Sequence, residues 1–318
     1  MTVKKIKSDD FISIIIPVFN SENIVKNTVE QSIYELKSQN LNFEIILIND
    51  GSKDNSWRTI KKLTQKYPEI ISINLLKNYG QHTAIYCGIE QSKGNYLVTL
   101  DDDLQNPPKE IIKLINKITD GYDVVFGTFP EKKHSFLRKI GTLLINYLNK
   151  KIFNKPKSIK LTNFRIFTRE VAERIKNYNT LYPYIPGLLL MFSSSIANVE
   201  TLHEERKIGK SNYTIIKIIK LVSRLLFNYS SYPLKVLSSL GIIISILSFS
   251  SGIAFIVNKI YFKNIVPGWT TIVVIISFFN GFLIFMLGIL GEYVSRILSQ
   301  VSFKKSYQIN EICSYDGK

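Results

Sequence analysis

Two long uncharged segments near the C-terminus constrain the fold of this chain most strongly. Residues 236–257 and residues 270–291 each run for 22 positions without Asp, Glu, Lys or Arg. A helix needs about 20 apolar residues to cross a hydrocarbon core about 30 Å thick, and helices buried in soluble proteins seldom carry no charge over such a length. The sequence therefore predicts two C-terminal transmembrane helices, with a buried helical hairpin as the weaker alternative.

The positive charge of the chain is concentrated just before the first of these segments. The net charge is +16, and residues 132–235 alone hold 20 Lys and Arg against 5 Asp and Glu. A basic surface can bind nucleic acid, but one that adjoins a membrane anchor fits anionic lipid headgroups more simply. We therefore expect a membrane partner and no nucleic acid.

The predicted localisation is the cell inner (cytoplasmic) membrane, with several spans and a cytoplasmic catalytic domain. Residues 1–10 are polar, so no signal peptide is expected there. Lys304 and Lys305, after the second segment, agree with the positive-inside rule, whereas Lys259 and Lys263 between the segments oppose it. The chain has only two cysteines, as expected in a reducing compartment.

The first half of the chain alternates between apolar runs and helical segments. Because strands rich in Ile, Leu and Val that are separated by helices form parallel sheets, the pattern predicts a Rossmann-like, mostly parallel α/β sheet. The ligands of such sheets bind at the carboxyl ends of the strands. The predicted strands cover residues 11–17, 43–48, 70–76, 96–100 and 123–126, and the predicted helices cover residues 22–38, 56–67, 81–91 and 108–119.

Two later segments combine an apolar face with basic flanks. Residues 136–153 and residues 213–229 space apolar side chains three or four positions apart and contain Lys and Arg but no acid. An ordinary surface helix would show a similar spacing. A wide apolar face with basic flanks is more typical of a helix in the membrane interface, which is what we expect for both segments.

Acidic residues follow two of the predicted strands. Asp101, Asp102 and Asp103 come directly after the fourth strand. In an extended chain Asp101 and Asp103 would point the same way, and two such carboxylates suit Mg²⁺ or Mn²⁺ held together with substrate phosphates. Asp50 ends the second strand, where it either forms part of a plain turn or accepts hydrogen bonds from a nucleotide base. The alternative for the three acids is a solvated turn.

Four motifs in order carry a resemblance to a known family. They are IIIPVFNSEN, INDGSKDNS, NYGQHTA and LDDDLQNPPKEI, beginning at residues 14, 48, 78 and 100. The chain resembles the inverting nucleotide-sugar glycosyltransferases of family 2, which have the GT-A fold, and in particular the branch that glycosylates polyprenyl phosphates. The resemblance covers about residues 11–300 and includes the two apolar segments.

The resemblance implies a role for individual residues. It places Asp101 and Asp103 at a divalent metal ion, Mg²⁺ or Mn²⁺, and Arg138 at the acceptor phosphate. The implied nucleotide and donor residues are Pro17, Glu22, Asp50 and Gln105; the other implied acceptor-phosphate residues are Thr142 and Arg206; and the implied catalytic residues are Asp103, Arg138 and Arg165.

The chain departs from the family pattern at a few positions. Asp102 stands where a small residue is usual, Asn163 where an acid often precedes Phe-Arg, and Asn212 where a lysine is usual. An arginine that often follows the fifth strand is missing, with Lys132 and Lys133 nearby. These departures concern the contacts to donor sugar and acceptor, and leave the expected reaction class unchanged.

The expected activity is transfer of a sugar from a nucleotide-sugar, with UDP as the default nucleotide, to undecaprenyl or another polyprenyl phosphate, with inversion. The product would be a lipid-linked monosaccharide for cell-envelope glycans. A different lipid acceptor, polysaccharide extension or an inactive membrane scaffold are the alternatives, although the Gln-x-x-Arg-Trp motif of processive synthases is absent. The sequence does not determine which sugar is transferred. It also leaves the oligomeric state open, and a homo-oligomer is one option.

The predicted domain organisation follows from these segments. Residues 1–135 form the nucleotide-sugar-binding core, and residues 136–233 form an acceptor-side region with the interfacial helices. Residues 234–298 hold the two transmembrane helices, and residues 299–318 form a cytoplasmic tail.

Overall fold

A computed structural model gives the architecture of the chain. It describes residues 10–129, 136–178, 180–204, 215–262, 268–302 and 305–315, and within its helices some side chains, those of residues 136–140 among them, lie outside the description. The chain divides into two compact units. The first comprises Met1–Ile218 with Lys304–Lys318, and the second comprises Ile219–Phe303.

The first unit alternates strands and helices from its start. Its strands are β1 (Phe11–Val18), β2 (Asn42–Asn49), β3 (Ile70–Leu75), β4 (Tyr96–Thr99), β5 (Val124–Thr128), β6 (Arg165–Thr168), β7 (Ile196–Glu200) and β8 (Ile309–Cys313). Its helices are α1 (Val25–Ser38), α2 (Ser56–Lys66), α3 (Gln81–Gln91), α4 (Ile111–Ile118), α5 (Phe136–Phe153), α6 (Arg169–Asn177) and α7 (Ile185–Phe192), and a short 3₁₀ turn, Pro108–Glu110, precedes α4.

The strands form one eight-stranded sheet in the order β7-β5-β6-β4-β1-β2-β3-β8. β1 pairs in parallel with β2 and β4, β2 with β3, and β5 with β7, whereas β6 and β8 pair antiparallel to their neighbours. Six strands therefore run in one direction and two run against them. The predicted α/β, mostly parallel sheet is confirmed.

The core lies on both faces of the central strands. Ile14, Ile15 and Ile16 in β1 are all fully buried, although successive side chains of a strand point to opposite faces. Helices therefore cover the sheet on both sides, which explains the unbroken apolar runs in the sequence. In α4 the buried positions are Ile111, Leu114, Ile115 and Ile118, the spacing of one helical face.

The structure departs from the predicted elements at several places. The helix predicted over residues 22–38 begins only at Val25, because Ser21 closes a turn in which its carbonyl accepts the N–H groups of Ile24 and Val25 at 3.1 and 3.0 Å. The sequence reasoning also missed β6, α6, α7, β7 and β8. These strands are four or five residues long, and β7 and β8 form the two edges of the sheet, so none of them has the long apolar run of β1 or β2.

The second unit is helical in its described residues. After α8 (Ile215–Tyr229), which begins in the first unit, come α9 (Tyr232–Phe262) and α10 (Trp269–Ser302). Among the described residues one stretch, Phe278–Ser299, is long and apolar enough to cross a membrane, and none of it is buried. It overlaps the predicted span over residues 270–291. The described apolar part of α9, Tyr232–Ile244, is shorter, so the span over residues 236–257 stays a prediction.

Candidate active site

The polar strand ends meet at one edge of the sheet. In the parallel register Val18 lies opposite Asn49, and Asn49 lies opposite Asn74, so that β1, β2 and β3 end level with one another. β4 ends beside them at Thr99. Because β6 runs the opposite way, its first residue, Arg165, pairs with Thr99 and brings Asn163 to the same edge. The expected shared edge is therefore present.

The three aspartates lie in a tight turn. The chain leaves β4 at Thr99 and turns at Asp102 and Asp103, so the strand alternation used to orient these carboxylates does not apply. We call residues 101–105 the acid turn. Its Leu104 is buried and has φ of +58°, a conformation that a branched residue adopts only when its surroundings enforce it, at about 1–3 kcal/mol. Such strain is typical of functional loops.

Both carboxylate oxygens of Asp101 accept amide hydrogen bonds. The side-chain nitrogen of Gln81, in the first turn of α3, donates to Oδ1 at 2.5 Å, and that of Asn163 donates to Oδ2 at 3.4 Å. Burial and the charge of Asp103 raise the pKa of Asp101 to about 6. Asp101 is therefore held in a fixed orientation, in a site where burial and the second carboxylate outweigh the positive charge nearby.

The other two carboxylates of the turn have different partners. The backbone N–H of Phe19 donates to Oδ2 of Asp102 at 3.4 Å, and Thr28 donates to the Asp102 carbonyl at 2.9 Å. Burial, with the charges of Asp101 and Asp103 adding to it, raises the pKa of Asp102 to about 7. Asp103 accepts the backbone N–H of Gln105 at 3.1 Å, which closes the acid turn.

Arg165 lies beneath the acid turn and is fully buried. Its Nε donates to the hydroxyl of Thr99 at 3.0 Å, and its two terminal nitrogens have no hydrogen-bond partner among the described residues. Burial lowers the pKa of Arg165 to about 10, and the charge of Asp101 opposes that change. The guanidinium therefore acts on the site as a buried positive charge behind Asp101, with no exposed surface toward a substrate.

Asp50 fixes the loop between β3 and α3. Its two carboxylate oxygens accept the backbone N–H groups of Tyr79 at 2.7 Å and Gly80 at 2.9 Å. Burial raises the pKa of Asp50, although the hydrogen bonds from these two N–H groups act to lower it. The next residue, Gly51, has φ of +63°, and a Cβ there would lie 2.5 Å from the backbone nitrogen of Asn78. Only glycine fits this approach of the two loops.

Glu22 and Pro17 belong to the neighbouring loop and strand. Oε2 of Glu22 accepts the backbone N–H of Asn55 at 2.8 Å, while the backbone N–H of Glu22 donates to Asp54 at 3.2 Å. This reciprocal pair joins the loop after β1 to the start of α2. Pro17 is buried at the end of β1, in register with Ile48. Both residues therefore lie at or just after the end of β1, at the edge of the sheet that holds the acid turn.

The predicted acceptor residues lie on α5 and beyond β7. Thr142 is exposed on α5, one helical turn after Arg138, whose side chain lies outside the described residues. Arg206 and Asn212 also lie outside them, as do Lys132 and Lys133. The structure thus brings together the donor-side residues and Arg165, and it gives no contact for Arg138 or Arg206.

The acid turn offers oxygen ligands for a divalent cation. Among the described residues, no group of three or more His, Cys, Asp and Glu side chains is arranged to hold a metal ion. Asp101 and Asp103 nevertheless fit a cation that takes its remaining ligands from substrate phosphates. Burial and, after it, the charge of Asp103 raise the pKa of Asp101, and such a cation would offset the repulsion between the two carboxylates.

Sequence reasoning did not predict the contacts of three residues at this edge. Gln81 and Asn163 hold Asp101, and Glu110 is a buried acid just beyond the acid turn. The motif around Gln81 and the position of Asn163 before Phe-Arg were visible in the sequence. Their common partner was not, because residues 81, 101 and 163 meet only through the sheet order.

Comparison with known proteins identifies the family. Residues 13–176 match the model of glycosyl transferase family 2. The chain belongs to this family. Undecaprenyl-phosphate 4-deoxy-4-formamido-L-arabinose transferase of Proteus mirabilis (strain HI4320) is 32% identical over 304 residues, which cover 95% of this chain and 93% of that protein. The chain is therefore a glycosyltransferase, as the motifs predicted.

Solved structures of similar fold agree with this. The glycosyltransferase matches glucosyl-3-phosphoglycerate synthase from Mycobacterium tuberculosis in complex with Mn²⁺, UDP and phosphoglyceric acid with a TM-score of 0.50 and 17% identity, covering 69% of this chain and 77% of that one. The complex of that synthase with phosphoglyceric acid alone gives a TM-score of 0.51 at 16% identity, covering 70% and 81%. These likenesses confirm a GT-A-like fold.

Proposed function

We propose that this glycosyltransferase moves a sugar from a nucleotide-sugar, with UDP as the expected nucleotide, to undecaprenyl or another polyprenyl phosphate at the cytoplasmic membrane face. The observation that carries the proposal is the relative that is 32% identical over 95% of the chain, since its name specifies undecaprenyl phosphate. Its match extends over almost the whole length of both proteins, so it includes the helices of the second unit as well as the acid turn.

The membrane arrangement is part of the proposal. α9 has 31 residues and α10 has 34. At 1.5 Å per residue either helix is longer than the hydrocarbon core of about 30 Å, and large apolar side chains of α10, such as Ile284 and Phe285, are exposed. We propose that both helices span the membrane. The first unit then lies on the cytoplasmic side together with the C-terminal segment.

The donor side of the reaction rests on the acid turn. Asp101 and Asp103 would hold Mg²⁺ or Mn²⁺, and the Mn²⁺–UDP complex of the structurally similar synthase supports this choice of ligand. When bound, the cation would supply Lewis-acid neutralisation of the departing nucleoside diphosphate. Gln81 and Asn163 hold the Asp101 carboxylate at a fixed angle, so that little reorganisation is needed during the reaction.

The acceptor side rests on α5. A polyprenyl phosphate is already ionised near neutral pH, so its oxygen needs positioning more than deprotonation. We propose that Arg138 binds that phosphate together with Thr142, which lies four residues later on the same helical face, and with Arg206. The outer face of α5 exposes Leu143 and Tyr147, which fits a helix lying at a lipid surface. The phosphate oxygen would form a bond to the anomeric carbon as the bond to the nucleoside diphosphate breaks, and such a single displacement would invert that carbon.

The test is transfer of label from a panel of UDP-, GDP- and dTDP-sugars into organic-extractable lipid. Membranes containing the full chain receive undecaprenyl phosphate and Mn²⁺ or Mg²⁺, beside an Asp103→Asn variant. We expect metal-dependent, acid-labile lipid label that falls at least about a hundredfold in the variant, the usual loss for a group that stabilises transition-state charge. Equal labelling by wild type and variant, or no labelling from any donor by a folded protein, would rule out the proposal.

A further inference from the structure

Glu110 is a buried acid that the proposed reaction does not use. It ends the 3₁₀ turn Pro108–Glu110 after the acid turn and is only 3% exposed. Its Oε2 forms an ion pair with Lys113 at 2.7 Å and also accepts the backbone N–H of Leu202 at 3.0 Å. A buried carboxylate is unfavourable unless it has such partners. The contact of Glu110 with Leu202 therefore points to a structural role.

Leu202 belongs to the segment that leaves β7 at the active-site edge. We call residues 201–204 the exit segment. β7 is parallel to β5, and β5 runs in the direction of β4, so the exit segment and the acid turn lie at the same edge of the sheet. The N–H of Thr201 donates to the carbonyl of Thr128 at 2.7 Å, which continues the strand pairing by one residue.

Two further contacts hold the exit segment against the acid turn and its continuation, and a third joins it to the residue after β5. The N–H of Glu204 donates to the carbonyl of Gln105 at 2.8 Å. Nδ1 of His203 lies 3.3 Å from Oδ1 of Asn106. The His203 ring also stacks on Phe129, with 3.9 Å between the centroids and 11° between the planes. The exit segment is therefore attached to the turn that carries the proposed donor-phosphate site.

We propose that Glu110 is a positioning residue for the acceptor: its buried carboxylate fixes the exit segment at a set distance from the acid turn. The inference rests on the proposed function, in which Arg206, two residues beyond the exit segment, binds the acceptor phosphate. Since the N–H of Gln105 is bound to Asp103 and its carbonyl is bound to Glu204, Gln105 joins the acid turn directly to the exit segment. Glu110 binds the same exit segment at Leu202, two residues before Glu204.

The test compares Glu110→Ala with Glu110→Gln and Lys113→Ala in the full chain in lipid nanodiscs. Glutamine keeps an oxygen that can accept the Leu202 N–H, and Lys113→Ala removes only the ion pair. We expect Glu110→Ala to raise KM for undecaprenyl phosphate about tenfold, the effect of losing one hydrogen bond to a charged group, with kcat and donor KM within about twofold of wild type. Glu110→Gln and Lys113→Ala should both stay close to wild type.

Amide hydrogen exchange at Leu202 gives a second reading that does not depend on the substrate. Exchange at this amide should be faster in Glu110→Ala and unchanged in Glu110→Gln. The inference is wrong if exchange at Leu202 stays the same in Glu110→Ala, if acceptor KM does not rise, or if Lys113→Ala matches Glu110→Ala. If wild type transfers nothing to undecaprenyl phosphate, the proposed function fails and the acceptor role fails with it, whereas faster exchange would still show that Glu110 holds the exit segment.

Discussion

At the scale of single residues, the site depends on close approach between loops. Asp50 accepts hydrogen bonds from two backbone N–H groups of the loop after β3. Because Gly51 has no Cβ, the backbone nitrogen of Asn78 in that loop can lie 2.5 Å from the position that a Cβ would occupy. The same loop leads to Gln81, whose amide holds Asp101. A change at residue 51 is therefore transmitted to the acid turn through a short stretch of backbone.

Gly51→Ala should weaken both the fold and the donor site. Gly121→Ala is the matched control, because Gly121 also has positive φ, +98°, but no atom within 4 Å of its Cβ position. The backbone conformation alone costs about 1–2 kcal/mol in each variant. We expect a clearly lower melting temperature for Gly51→Ala than for Gly121→Ala, and UDP affinity at least about tenfold lower by calorimetry. Equal effects of the two variants would show that the contact between the loops is unimportant.

At the scale of elements, Asp123 sets the pairing of β5 with β7. Its Oδ2 accepts the N–H and the hydroxyl of Ser194 at 2.6 and 2.7 Å and the N–H of Ser195 at 3.0 Å. Burial alone would raise the pKa of Asp123, but the hydrogen bonds from the two serines outweigh it and hold this pKa below its usual value. The ionised carboxylate therefore stabilises the start of both strands.

Asp123→Ala should lower stability in a pH-dependent way. A depressed pKa contributes stability above the unfolded pKa of about 3.9, and this contribution is lost as pH falls through the folded value. At pH 7 we expect a loss of about 1 kcal/mol, or about 2–4 °C in melting temperature, with wild type and variant converging below about pH 4. Asp120→Ala, which removes a surface ion pair with Lys117, is the control and should change little. A gap that persists at low pH would contradict this role.

The elements that sequence reasoning found and missed differ in their burial. β1 and β2 each have seven buried positions out of eight, and such runs were predicted within two residues of their bounds. β6 is four residues long and begins with a fully buried arginine, which no apolar pattern could indicate. At the site, the position of Asp101 followed from the strand ends. Its contact with Asn163 did not, because that contact depends on β6 running antiparallel beside β4.

At the scale of the whole molecule, the chain returns to the catalytic sheet after its last helix. Residues 304–318 belong to the first unit, and β8 pairs with β3 at the edge of the sheet. Tyr307 is 2% exposed, and its hydroxyl hydrogen-bonds to Glu90 near the end of α3. The segment expected to be a cytoplasmic tail thus contains a strand of the catalytic unit.

Deletion of residues 305–318 should destabilise the catalytic unit although the deletion lies far along the chain from the motifs. It removes β8 and exposes the edge of β3. It also exposes Cys87, which is fully buried in the intact chain. Tyr307→Phe removes only the hydroxyl and should lower stability by about 1 kcal/mol. Thermal melting of the detergent-solubilised protein measures both, and a deletion variant that melts like wild type would show that β8 adds nothing to the sheet.

The choice of acceptor is the central claim, and a competition assay tests it most directly. The purified chain in nanodiscs would receive equal amounts of undecaprenyl phosphate and diacylglycerol with Mn²⁺ and the active nucleotide-sugar, and mass spectrometry would identify the products. We predict that undecaprenyl phosphate gains the mass of one sugar residue and that diacylglycerol remains unmodified. Sugar on diacylglycerol, or on neither lipid while the nucleotide-sugar is consumed, would contradict the account.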